Sequence, residues 1–292
     1  MFVKKFVKTR PFFAVTIMSV LLYGLTAWGP SLSGLTFLSR PVPPSFSTTT
    51  PVQEEASTTP PSVATTPLFQ YIEVAQGCGP HFEGTCVNMR GGPGEEYPVV
   101  LRLRTGVVLK VKEVITQNGQ EWYKISFDGS IHFPERVTGD WYVARTEYVK
   151  LFSDEGDKEL PTEEVGTSTK SIIVNLSEQM LYAYDGDDLF MKVPISAGLE
   201  ETPTPRGKFF IYKKTPSRYM QGPIQGVSDQ YFDLPGVPWN LYFTNGGAVI
   251  HGAYWHNSFG NPWSHGCVNL PPQEAKKLYR WADVDMPVIV RD

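Results

Sequence analysis

An excess of positive charge is missing from this chain: 26 Lys and Arg stand against 30 Asp and Glu, a net charge of −4 over 292 residues. That balance speaks against nucleic-acid binding and against a broad cationic membrane patch. Internal repeats are absent. Helical patterning is scarce, and only residues 272–281 read as a good helix. It opens on proline, places Glu274 in its first turn and carries Lys276, Lys277 and Arg280 toward its end, as the helix dipole favours. Cysteine is scarce too: Cys78, Cys86 and Cys267 are the only three. Beside the first two, His81 is close but no second ligand pair appears, so a metal site there is much the weaker reading.

What the chain has in quantity is 25 prolines, 26 glycines and recurrent Val, Thr, Tyr and Phe. These residues favour short strands and many turns, so a mainly β protein is predicted, long enough for two modest domains. Residues 1–40 form a basic start and an apolar span. Lys4, Lys5, Lys8 and Arg10 precede an uncharged stretch, 11–39, that is strongly apolar over 12–28. Positive charge before such a span holds the N-terminus in the cytoplasm and sends the C-terminal side outward. A retained membrane anchor is favoured over a signal cleaved near Ser31-Leu32-Ser33, and both export the remainder of the chain. Residues 41–67, rich in Pro, Ser and Thr, cannot bury a core and read as a stiffened spacer.

Residues 68–152 carry strand candidates at 69–74, 99–103, 107–115, 121–127 and 139–144, separated by turn signals such as Asn118-Gly119. Five short strands predict a small barrel. In an exported protein, Cys78 and Cys86 around a Gly-Pro loop are read as one disulfide, which leaves Cys267 unpaired. Val87-Asn88-Met89-Arg90-Gly91-Gly92-Pro93-Gly94, Glu121-Trp122-Tyr123-Lys124 and Gly139-Asp140-Trp141-Tyr142-Val143 resemble bacterial SH3-like domains, with 130–138 as an insertion. The resemblance implies contact with cell-wall peptide or glycan. A spacer barrel whose aromatics are simply core stays equally open. Residues 153–169 are acidic, lack apolar periodicity and read as a linker.

Residues 170–292 open on a hairpin pattern and continue through the rigid Thr202-Pro203-Thr204-Pro205-Arg206-Gly207 loop. A long, turn-rich, aromatic segment at 219–238 has the character of an insertion that covers a site. The last half of the unit holds three of the five histidines, His251, His256 and His265, together with Cys267. A cysteine with a pKa of about 8.5 is only ~3% thiolate near neutral pH, so a nucleophile needs an imidazole to take its proton. His251 ends a strand and Cys267 lies across the loop after it, which predicts acyl transfer with Cys267 as nucleophile and His251 as base and later acid. Gly266 would let amide N–H groups approach an oxyanion.

His251-Gly252, a loop, then Ser264-His265-Gly266-Cys267-Val268-Asn269-Leu270 resembles the signature of the L,D-transpeptidases with a YkuD-type catalytic domain. The resemblance runs over 172–290. It implies a β-sandwich-type domain with one packed helix, and no metal or cofactor. It also implies attack on the third-residue carbonyl of a peptidoglycan stem tetrapeptide, release of D-alanine, and transfer of the acyl group to the side-chain amine of an acceptor stem. Acylation by carbapenems is implied as well. In the matching arrangement the Gly252 carbonyl orients His251, and backbone N–H groups at Gly266 and Cys267, with the Ser264 and His265 region, hold the oxyanion. Trp239, Tyr242 and Tyr254 are placed as walls of the donor groove or as core; Asn269 is placed beside the groove, bracing the loop; His256 is expected to face solvent. A zinc site from His251, His256, His265 and Cys267 has enough ligand types, but Ser-His-Gly-Cys is not a usual ligand spacing. The same catalytic pair also serves hydrolysis by an L,D-carboxypeptidase, and a non-catalytic wall-binding protein is the rival of another class.

Overall fold

The computed structural model of the chain describes residues 67–127, 131–160, 168–225 and 228–292. The expected anchor and nearly all of the spacer lie outside these residues. Among the described residues no helix is long and apolar enough to cross a membrane.

Seven strands form the first sheet: β1 (Phe69–Val74), β2 (Val87–Arg90), β3 (Val99–Leu103), β4 (Val108–Gln117), β5 (Gln120–Ser126), β6 (Tyr142–Ala144) and β7 (Val149–Asp154). Their order is β3-β2-β6-β5-β4-β1-β7, antiparallel throughout. The β4–β5 hairpin turns on Asn118 and Gly119, both at positive φ (52° and 79°), the primed turn whose twist matches its strands. Strands stand at all five expected places, as β1, β3, β4, β5 and β6, and two more appear. β2 lies inside the Val87-Asn88-Met89-Arg90 motif, and β7 continues into the segment that the sequence presents as linker. Cys78 and Cys86 form a disulfide. Trp122, Tyr123, Trp141 and Tyr142 are all buried.

The second unit is a sandwich of two five-stranded sheets with one helix. It comprises β8 (Lys158–Glu159), β9 (Lys170–Asn175), β10 (Met180–Asp185), β11 (Asp188–Pro194), β12 (Gly207–Phe210), β13 (Lys213–Ile224), β14 (Ser228–Tyr242), β15 (Val249–Gly252), β16 (Val268–Leu270), α1 (Pro272–Trp281) and β17 (Pro287–Arg291). One sheet runs β11-β10-β9-β17-β12 and the other β16-β15-β14-β13-β8. Alternating residues Ile172, Val174, Leu181 and Ala183 face Leu241, Ile250 and Val268, with Ala275, Leu278 and Tyr279 of α1 closing the core.

Two features differ from expectation. Residues 219–238 are mostly two long paired strands, β13 and β14, although the sequence shows prolines and turns there. The register shifts between Arg218 and Met220 and between Gly222 and Ile224, and such bulges admit Pro and Gly in a ribbon. The acidic linker is also ordered in part, because Lys158 and Glu159 pair with β13 at its edge. Asp157 and Glu159 meet Lys213 there, and Asp157 meets Arg218 at 2.6 Å.

The barrel and the sandwich share buried surface. Tyr219, Val237 and Tyr254 of the second unit join the barrel's core beside Leu109, Trp141 and Val149. Glu73, 3% exposed, pairs across the boundary with Lys276 of α1.

Candidate active site

β15 and β16 are parallel neighbours, in register His251 with Asn269 and Gly252 with Leu270. That pairing brings the end of one strand beside the residues that precede the other, so His251 and Cys267 line a single cavity of about 1040 Å³. Ser264, His265, Gly266, Asn269 and Tyr242 line it too. Among the described residues no hydrogen bond joins the imidazole to the thiol. The Cys267 S–H is directed at the Gly247 carbonyl, 3.9 Å away.

His251 is 2% exposed and its Nδ1 lies 3.1 Å from the Gly252 carbonyl. A carbonyl only accepts, so Nδ1 carries the proton and Nε2 is left with its lone pair. Burial pulls the His251 pKa down to about 4; the Gly252 carbonyl opposes this and His256 adds to it. Burial pushes the Cys267 thiol up, against the Val249 amide, even though part of the side chain stays open to the cavity. Both shifts disfavour charge, so the resting pair is a thiol and a neutral imidazole.

The Ser264–Cys267 turn is held from within. Ser264 Oγ accepts the Gly266 N–H at 3.1 Å and donates to the Cys267 carbonyl. Gly266 sits at φ +111°, which L side chains rarely adopt, while a Cβ there would meet only ordinary contacts at 3.7 Å and beyond. Glycine is therefore required by backbone conformation. Its N–H, expected to approach an oxyanion, donates to Ser264 Oγ in this structure. His265 Nε2–H donates to Gln230 Oε1 of β14 at 3.0 Å.

Other expected residues fall elsewhere. Trp239 is core: it is 2% exposed and packs between Phe152 at 5.5 Å and Tyr279 at 5.3 Å. Tyr254 is core as well, its hydroxyl donating to the Pro235 carbonyl at 2.6 Å. Tyr242 does face the cavity, and its hydroxyl accepts from Arg218 Nε at 3.1 Å. His256 is buried rather than solvent-facing. The Ser258 N–H donates to its Nδ1 at 3.1 Å, so Nε2 carries the proton. Asn269 Nδ2 stands 2.9 Å from that Nε2, and since two donors do not pair, the amide is assigned with Oδ1, otherwise without a partner, toward the imidazole. Asn269 thus braces the loop. Among the described residues no three His, Cys, Asp or Glu side chains group around a point.

The hairpin's contribution to the site is not evident from motifs: Arg218, Gln221 and Phe232 line the cavity, as does His132 from the barrel's insertion. Only the aromatic, site-covering character of 219–238 hints at them.

Comparison with known proteins gives the same two units. The L,D-transpeptidase catalytic domain (YkuD) model matches residues 169–290, and the bacterial SH3 domain model matches residues 83–131. A probable L,D-transpeptidase 3 of Mycobacterium tuberculosis is 32% identical over 111 residues, 37% of this chain and 40% of that protein. The chain therefore matches well under two thirds of that curated relative's length. Among solved structures, a mutant L,D-transpeptidase of Enterococcus faecium is 26% identical, with 42% of this chain and 50% of that one covered and a TM-score of 0.39. An L,D-transpeptidase from Mycobacterium smegmatis is 22% identical, with 78% and 100% covered and a TM-score of 0.40.

Proposed function

With residues 169–290 forming an L,D-transpeptidase catalytic domain and residues 83–131 a bacterial SH3 domain, we propose that the chain cross-links peptidoglycan stem peptides through a thioester on Cys267. The observation that carries this is the cavity shared by Cys267 and a buried, neutral His251 whose Nε2 is free to accept a proton. Sγ attacks the carbonyl carbon of the third residue of a donor stem as its proton passes to His251 Nε2. The oxyanion is held by the Cys267 amide and the His265 region. Collapse expels D-alanine, whose amine takes the proton back, and leaves the acyl group on sulfur. The side-chain amine of an acceptor stem then attacks the thioester, its proton goes to His251, and the thiol is restored. The chain acts in the cell envelope, outside the cytoplasm.

Intact mass after exposure to a carbapenem tests the assignment. Wild-type protein gains the mass of one carbapenem, Cys267→Ser gains none, and His251→Ala is labelled at least about a hundredfold more slowly. A label that persists on Cys267→Ser overturns the nucleophile. Incubation with stem tetrapeptide then separates transfer, read as a cross-linked dimer, from hydrolysis, read as free tripeptide.

A further inference from the structure

The insertion in the barrel lies across the β13–β14 hairpin. Residues Pro134–Arg136 form a short 3-10 turn. Arg136 Nη1 donates to the Gly222 carbonyl of β13 at 2.9 Å and to the Phe232 carbonyl of β14 at 3.4 Å, so one guanidinium ties both strands. The same nitrogen lies 3.9 Å from Asp233 Oδ1. Gln221 answers from the hairpin: its Oε1 accepts the Phe133 N–H at 3.0 Å, and its Nε2 donates to the Phe133 carbonyl at 3.3 Å. These contacts join residues 86 to 96 positions apart.

The barrel closes on the base of the hairpin as well. Ser217 Oγ donates to the Val108 carbonyl. Gly236, at φ +65°, lies so near β4 that a Cβ there would stand 2.5 Å from the Val108 oxygen. Toward its tip the hairpin reaches the nucleophile's turn. Gln230 accepts from His265, and the Phe232 ring stacks on the His265 imidazole with centroids 6.4 Å apart and planes 14° apart. A continuous set of contacts therefore runs from Arg136 through Phe232 to His265, two residues before Cys267.

We propose that the inserted segment, acting through Arg136, positions the β13–β14 hairpin and with it the cavity wall that meets the Ser264–Cys267 turn. The barrel then serves the reaction in cis as a buttress. Arg136 is a positioning residue, since the hairpin strands it ties line the cavity and it does not. This rests on the transpeptidase reading for its kinetic consequence, while its structural half can be read without any activity.

The test uses full-chain Arg136→Ala, with Glu135→Ala as an exposed neighbouring control. Loss of one charge-assisted tie predicts amide hydrogen exchange about tenfold faster in 217–225 and 228–237, with 69–74 and 120–126 unchanged. The KM for stem tetrapeptide rises about tenfold while kcat stays within about threefold, because the binding wall has loosened and the Cys267–His251 pair has not. Unchanged exchange in the hairpin overturns the proposal, and so does an unchanged KM. Should Arg136→Ala not fold, Arg136→Gln, too short to span both strands, is read in the same way. Failure of wild-type Cys267 to take a carbapenem would instead sink the transpeptidase reading and leave the exchange result standing.

Discussion

The surroundings of His251 suit it to the base role proposed for it. Its Nδ1 proton faces the Gly252 carbonyl and burial holds its pKa near 4, so Nε2 is unprotonated over most of the pH range in which the protein would work. The acid limb of Cys267 acylation is accordingly expected near pH 4, where an exposed histidine would place it near 6.5. A pH–rate profile of carbapenem labelling checks this, and a midpoint between 6 and 7 would contradict it. The same shift has a sign for stability. His251 and His256 both titrate at about 4 when folded and near 6.5 when unfolded, so between those values the unfolded chain binds more protons. Stability present above about pH 6.5 is lost as pH falls toward 4. At this scale the sequence is readable where chemistry is local: a lone cysteine beside Ser, His and Gly announces itself. It is opaque where side-chain direction decides. Nothing in the loop says that His256 turns inward to Asn269, thirteen residues on, or that Trp239 points into the core while Tyr242 faces the cavity.

Among the elements, β15 carries a glycine with a packing duty beside the one its carbonyl has toward His251. A Cβ on Gly252 would stand 2.8 Å from Pro238 Cγ and 3.1 Å from Pro272 Cα. Gly252→Ala is expected to push β15 from β14 and α1, costing ~1–3 kcal/mol and turning the carbonyl that orients His251. Thermal melting together with labelling rate checks this; a variant with unchanged melting and unchanged rate would show that the site yields freely. Strands with regular alternation, such as Lys170–Asn175 and Met180–Asp185, are legible from period alone. The β13–β14 ribbon is not. Pro216, Pro223, Pro235 and Pro238 mimic loop punctuation, and pairing between strands is invisible to local composition.

For the molecule as a whole, the boundary between barrel and sandwich matters more than either part suggests. Tyr219, Val237 and Tyr254 are buried against barrel residues, and Lys276 is paired with a nearly inaccessible Glu73. A polypeptide of residues 168–292 alone would uncover that apolar face and lose the lysine's partner. It is expected to melt below the full chain and to bind a hydrophobic dye that the full chain excludes. Equal melting temperatures for the two would show that the shared surface contributes little. Domain order is legible because composition shifts sharply along the chain, but the closeness of the two units is not. Contacts such as Arg136 to Gly222 link segments that share no motif.

The disulfide between Cys78 and Cys86 takes two of the three cysteine sulfurs and leaves Cys267 as the protein's single thiol. Any stoichiometric thiol reagent therefore counts free Cys267 directly, without a substrate. A preparation that titrates below one equivalent reports the fraction already oxidised or occupied.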